Sequence, residues 1–358
     1  MTRRGVLLLG GAAVVAAAGA AVVLQRGETA RTEAVVLGEP AFPGVAPRLA
    51  EAALVEIRRH DGGVTIARRD GVWGLVAKDG FPVRPERMRE LFTGLAELRL
   101  IEERTGNPEL FARLGLEDVT VPGGTSQLLT VKDAEGRVIA EAILGRRRIR
   151  TAGNLPEAIY LRRPGETRTF LAEGTLRADT DPMLWVEREI LDIRRQRIAT
   201  VMTERAGAAP VRVVRRSIDL EAAELEGMAE DFRADPAKVD DLPRALEWLT
   251  FNDVRGRAGL EGAERLGVAR ATTFDGLIVE IRLVAEGGRR WALFDVTWQD
   301  PGPPPEAPPP ELKAAAEGRE EAATLARRLS PWAFALVDWK ADILLYRPED
   351  IAAAGDPS

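Results

Sequence analysis

Hydrophobic positions along this chain change pattern three times. The first stretch is an uncharged run over residues 5–24, rich in Val, Leu and Ala, preceded by Arg3 and Arg4 and closed by Arg26. At about 1.5 Å rise per residue, about 20 apolar residues cross a bilayer core as a helix. Basic flanks stay on the cytoplasmic side, so the pattern predicts a cytoplasmic tip and transmembrane anchor over 1–26, with the rest of the chain outside the cytoplasm. Small residues at 16–21 offer an A-x-A-like cleavage site, yet Val22, Val23 and Leu24 extend the apolar run past it. That length favours an anchor over a cleaved signal, whose apolar region is about 7–15 residues. Arg3-Arg4 before the run also loosely matches a twin-arginine export signal, but the same pair is the ordinary flank of any anchor.

The second pattern is short alternation. After a Gly- and Pro-rich stretch at 27–50, read as a linker, Leu54-Val55-Glu56-Ile57, Val64-Thr65-Ile66-Ala67 and Val72-Trp73-Gly74-Leu75 are separated by turns at Asp61-Gly62-Gly63 and Asp70-Gly71. Asp-Gly between alternating runs is a hairpin signal, so an antiparallel meander is expected. Met88, Leu91, Phe92, Leu95 and Leu98 then form one apolar stripe at helical spacing, opened by Pro85 at a first-turn position. A second hairpin turns at Gly136, and short strands follow around Ile159-Tyr160-Leu161 and Phe170-Leu171.

The third pattern repeats the second. Strands around Ile198–Val201 and Val211–Val214, a helix over 242–254, Leu266-Gly267-Val268, and a hairpin turning at Gly287-Gly288 follow the earlier order. Gly115 and Gly267 stand 152 residues apart, as do Gly136 and Gly288. The expected architecture is therefore α+β: two similar modules of antiparallel hairpins packed with helices, after one N-terminal transmembrane helix. The modules are placed at 51–178 and 179–300, the second carrying an acidic insertion at 219–241. A Pro-rich spacer at 301–311, stiff in the polyproline II manner, leads to a C-terminal helix and closing segment at 312–358.

Composition narrows the chemistry. The 358 residues carry a formal net charge of −6, which does not favour nucleic acid as a partner. The absence of Cys removes disulfides, thiolate nucleophiles, Cys-type zinc sites and a lipid-modified N-terminal Cys. His60 is the one histidine, beside Asp61 on a turn, and no G-x-S-x-G elbow accompanies it. No P-loop motif occurs. The acidic stretch lacks an EF-hand pattern and reads as a solvated face or a docking surface for a basic partner.

The segments VTIARRDGVWGL, FPVRPERMRELFTGLAEL, FARLGLED, DPMLWVEREILDIRRQRIATV and SPWAFALVDWKADILLYRPEDI resemble the bacterial family known as domain of unknown function 4340. The resemblance implies a single-span, outward-facing protein of the inner membrane, associated with gliding-type ABC transporter components. It carries over no catalytic residue, because none is defined for the family.

Two side-chain groups stand out as candidate chemistry. Asp179, Asp181 and Glu187 are the carboxylates that an envelope hydrolase would need for general acid–base work, although Asp179-Thr180-Asp181-Pro182 also reads as a helix cap. Arg146, Arg147, Arg148 and Arg150 form the densest basic patch, suited to an anionic partner or to solvated strand ends. Trp73, Trp185, Trp248, Trp291 and Trp298 are expected in the core, with Trp332 and Trp339 as a possible stacking platform. No catalytic residue, metal or cofactor is expected. The leading expectation is a non-enzymatic, membrane-anchored periplasmic accessory or binding protein, partnered by ABC transporter membrane subunits or an envelope polymer. The alternatives are the carboxylate hydrolase and a tethered module for a glycan or small ligand.

Overall fold

The computed structural model describes residues 38–148, 157–220, 222–303 and 309–353. The expected anchor and its flanks Arg3, Arg4 and Arg26 lie outside the described residues. Among those residues no helix is long and apolar enough to cross a membrane.

The first half opens on β1 (Ala52–Arg59), β2 (Gly62–Arg69), β3 (Val72–Leu75) and β4 (Phe81–Pro82). Helix α1 (Val45–Arg48) precedes them, and α2 (Pro85–Glu97) follows. After β5 (Arg99–Glu103) and the short α3 (Phe111–Leu114) come β6 (Gln127–Asp133), β7 (Val138–Arg148), β8 (Ala158–Arg162) and β9 (Thr169–Glu173). The second half contains β10 (Glu189–Leu191), β11 (Ile198–Arg205), β12 (Val211–Val214), β13 (Glu224–Glu226) and α4 (Pro236–Arg244). It continues with β14 (Leu249–Gly256), β15 (Glu264–Thr273), β16 (Leu277–Glu286) and β17 (Arg289–Trp298). Helix α5 (Ala315–Leu329), β18 (Trp332–Leu336), α6 (Asp338–Ile343) and α7 (Pro348–Ile351) close the chain.

The strands form two nine-stranded antiparallel sheets. In the first the order is β4-β3-β2-β1-β6-β7-β8-β9-β5, and in the second it is β10-β14-β18-β17-β16-β15-β11-β12-β13. Read from its far end, the second sheet repeats eight strands of the first, so that β3-β2-β1-β6-β7-β8-β9-β5 matches β13-β12-β11-β15-β16-β17-β18-β14. The irregularities match as well. Pairing slips between Ala52 and Leu54 of β1, and between Ile198 and Thr200 of β11. It slips again between Leu100 and Glu102 of β5, and between Phe251 and Asp253 of β14. Bulges re-aim a strand at one defined place, so shared bulges on a shared strand order mark a repeated plan.

The helix α2 forms as its stripe predicts: Pro85 opens it, and Met88, Leu91 and Leu95 are buried. Gly94 faces the chain after β9, where an added Cβ would stand 2.4 Å from the Thr175 carbonyl oxygen. One hydrophobic cluster runs through both halves, including Val55 and Leu91 of the first and Leu242, Ala322 and Phe334 of the second.

Several expectations are corrected. Residues 38–50 are not a free linker. The Gly38 and Ala41 amides donate to the carbonyls of Leu100 and Leu98, and Ala41, Val45 and Leu49 are buried. The helix expected at 242–254 lies earlier, over Pro236–Arg244, where the Asp235 carboxylate accepts from the Ala237 amide. Leu249 to Gly256 are instead a strand, because Leu249, Phe251 and Val254 are buried between β10 and β18. The matching Leu-Gly pairs are not equivalent. Gly115 caps α3 in the left-handed region, whereas Gly267 lies inside β15, close to the Glu204 carbonyl. Gly136 therefore corresponds to Gly276 at the β15–β16 turn, not to Gly288. The stretch at 219–241 is no insertion: it supplies β13 and the start of α4, the counterparts of β3 and α2. Three of its acids are paired, Glu224 with Arg216, Glu226 with Arg212 and Asp240 with Arg195.

Candidate functional site

The two sheets meet where the chain leaves β3. Lys78 lies 2.5 Å from Asp253 of β14, and the Asp79 carboxylate accepts from the Gly256 amide at 2.8 Å. Asp79 takes a left-handed backbone (φ 55°), so the chain turns sharply and delivers Phe81 to the other sheet. The Phe81 ring stands edge-on to Trp332 at 4.9 Å and to Phe251 at 5.6 Å. Edge-to-face pairs of this kind contribute about 0.5–1.5 kcal/mol each beyond the area they bury.

Beside this aromatic group is a cleft of about 220 Å³, walled by Phe81, Val83, Ile190, Phe251, Leu329 and Trp332. Glu187, Glu189, Arg84 and Arg328 also line it. Arg328 donates to the Ile190 carbonyl, and Arg84 donates to the Leu184 carbonyl at 3.2 Å. The Arg84 Nε is buried with no partner of its own. Sites for cofactors and drug-sized ligands run about 300–1,000 Å³, so this cleft fits one side chain or a small ring.

The carboxylates chosen from sequence do not converge on one reaction centre. Asp179 pairs with Arg87, whose guanidinium stacks 5.4 Å from the Trp185 ring, while the Asp179 carbonyl accepts from the Trp185 indole at 2.9 Å. Asp181 caps a short helical turn by accepting from the Met183 amide at 2.8 Å. Glu187 lines the cleft, and its carboxylate accepts from the Glu189 amide at 3.3 Å. Two of the three thus hold the connection between the sheets, and one reaches the cleft. His60 sits on the β1–β2 turn, its Nδ1 3.9 Å from Asp61.

Arg146, Arg147 and Arg148 end β7 as exposed residues, and Arg147 pairs with Glu157 at 3.0 Å. Arg150 lies outside the described residues. Nearby Arg162 is buried, donating to the Leu116 carbonyl at 2.6 Å and to Asp118 at 2.5 Å, with its guanidinium over Phe111. Among the described residues no group of three or more His, Asp or Glu is placed to hold a metal ion.

A separate buried network ties α5 to the second sheet. Arg197 bridges Asp275 at 2.9 Å and Glu321 at 2.7 Å, and Lys313 adds a third contact to Glu321 at 2.8 Å. Burial pushes the Glu321 carboxyl up, but hydrogen bonds from Arg197 and Lys313 outweigh it and hold the group below its ordinary value.

Sequence reasoning missed Phe81 and Phe251 as cleft residues. It also paired Trp332 with Trp339. Trp332 instead walls the cleft, while Trp339 is exposed on α6. Trp248, expected in the core, is exposed as well, because the chain turns there in the left-handed region (φ 48°).

The fold and seam define a two-sheet α+β protein. Residues 73–267 match the family described as Domain of unknown function (DUF4340), more than half of the chain, and the chain belongs to that family. No curated protein matches it significantly.

Proposed function

We propose that this protein is a non-enzymatic accessory protein, held at the inner membrane by residues 5–24, whose two-sheet body binds a partner in the envelope. The partner class that fits best is the membrane subunits of an ABC-type transporter, with an envelope polymer as the second. The observation that carries the reading is the cleft at the seam. It is apolar, the size of one side chain, and built from both halves, as expected of a pocket that receives an anchor residue of a partner. The carboxylates Asp179 and Asp181 are already engaged in holding the connection between the sheets, which speaks against the hydrolase alternative.

Affinity capture from gently solubilised native membranes tests this. The full-length protein, a chain lacking residues 1–26, and Glu187→Lys are compared, because Glu187 is exposed and lines the cleft. Recovery of transporter subunits by the full-length protein, weakened by Glu187→Lys, supports the reading. Recovery unaffected by Glu187→Lys moves the contact away from the cleft. Absence of any specific partner overturns the accessory role.

A further inference from the structure

Trp248 and Trp339 depart from the other tryptophans. Trp185 and Trp291 are buried and Trp73, Trp298 and Trp332 are half-buried, whereas Trp248 and Trp339 are 60% and 59% exposed. These two are neighbours in space. The Lys340 ammonium lies 4.6 Å from the Trp339 ring centroid and donates to the Glu247 carbonyl, the group next to Trp248, at 2.8 Å. The buried Lys340 ammonium thus lies between the Trp339 ring and the backbone that leads into Trp248.

The backbone at the patch is fixed. The left-handed backbone of Trp248 is one that a bulky residue rarely adopts, and its amide is fixed to the Asp192 carboxylate at 3.0 Å. Arg194 stacks on its ring at 5.4 Å. Lys340 also donates to the Arg244 carbonyl at 2.8 Å, which pins α6 to the end of α4. Burial lowers the Lys340 pKa from its ordinary value.

Several charges around the patch are paired. Arg194 faces Asp192 at 3.8 Å, Arg244 faces Asp240 at 2.7 Å and Asp338 faces Arg290 at 3.1 Å, while Lys340 is occupied by carbonyls. The two arginines at the patch, Arg194 and Arg244, are thus already engaged by acids. What remains is two apolar rings, each with an indole N–H that has no acceptor among the described residues. Rings of that kind suit the boundary between headgroups and acyl chains, which offers apolar contact and acceptors together.

We propose that Trp248 and Trp339 form a bilayer-interface contact by which the body lies against the outer face of its own membrane. The inference rests on the reading of residues 5–24 as the anchor. Between Leu24 and Gly38 the chain reaches at most about 50 Å, so the body never leaves the neighbourhood of the bilayer. A short tether gives an effective concentration in the millimolar range, so two indoles of modest intrinsic affinity suffice.

The test uses full-length protein in zwitterionic phosphatidylcholine vesicles carrying brominated acyl chains, which quench tryptophan on contact. Residues 1–72 contain no Trp, so quenching reports on the body alone. Flotation of the vesicles with the protein scores the anchor separately. The expected result is quenching that persists at high salt and is largely lost in Trp248→Ser/Trp339→Ser, with far-UV circular dichroism unchanged. Flotation without quenching overturns the contact and leaves the anchor reading standing. Quenching abolished by salt, or unchanged in the double variant, also overturns it. A chain that does not float but is quenched overturns the anchor and keeps the patch, and one that does neither overturns both. Protection of the two indoles by a soluble envelope glycan, without quenching by lipid, assigns the patch to the polymer instead.

Discussion

The Lys78 ammonium of the first sheet lies 2.5 Å from the Asp253 carboxylate of the second, and Asp253 also receives Arg289 and the Val254 amide. Removing the shared acceptor leaves two cations facing one another at the seam. Asp253→Ala is expected to destabilise the protein by about 1–3 kcal/mol, the cost of stranding partly buried donors. Thermal unfolding of the single and paired Lys78→Ala and Asp253→Ala variants checks this. Additive effects would show that the pair contributes nothing.

Phe81 carries the aromatic side of the same seam. Phe81→Ala is expected to cost about 3 kcal/mol, the low end for truncating a core phenylalanine, because the ring is half-buried. The loss should appear in both halves together. Hydrogen exchange read separately on β2 and β16 is the measurement, and faster exchange confined to one sheet would contradict a shared core.

Gly94 allows a test by sign. At an exposed helix position Gly→Ala stabilises by about 1 kcal/mol. Here the new methyl would meet the Thr175 carbonyl at 2.4 Å, so Gly94→Ala is expected to destabilise by about 1–3 kcal/mol. A raised melting temperature would mean that α2 does not approach the chain after β9 so closely.

The Glu321 carboxyl is held below its ordinary value of 4.5. A carboxylate with a depressed folded pKa adds stability above its unfolded pKa, and that stability is lost as pH falls through the folded value. Acid should therefore weaken the protein progressively below about pH 4.5, and Glu321→Gln should flatten that part of the profile while lowering stability at pH 7. Urea midpoints between pH 7 and pH 3 decide the matter. Parallel profiles for the two proteins would remove Glu321 from the explanation.

The first half was legible because its instructions are local. Asp70-Gly71 and Gly136 mark turns, and the stripe from Met88 to Leu98 faces one way around a helix. In the second half Leu242, Ala245, Leu246 and Leu249 also fit a helical spacing, yet Leu249 belongs to β14, which is buried by β10 and β18 from distant parts of the sequence. β15 went unrecognised because Glu264, Arg265 and Arg270 break its apolar run. The repeat was visible in the order of elements, but its alignment was displaced by one hairpin. The cleft left no local signature, since the residues facing Phe81 come from more than a hundred and fifty positions further along the chain.

The last strand, β18, is not at the rim of its sheet but between β17 and β14. A chain synthesised from its N-terminus presents β14, with Leu249, Phe251 and Val254, before the strand that covers it exists. During that interval two ladder edges stand open in the middle of the sheet, the kind of surface that draws chaperones or leads to aggregation. A premature stop before Leu336 would thus act on the centre of the fold, and the second sheet can close only once β18 has been made.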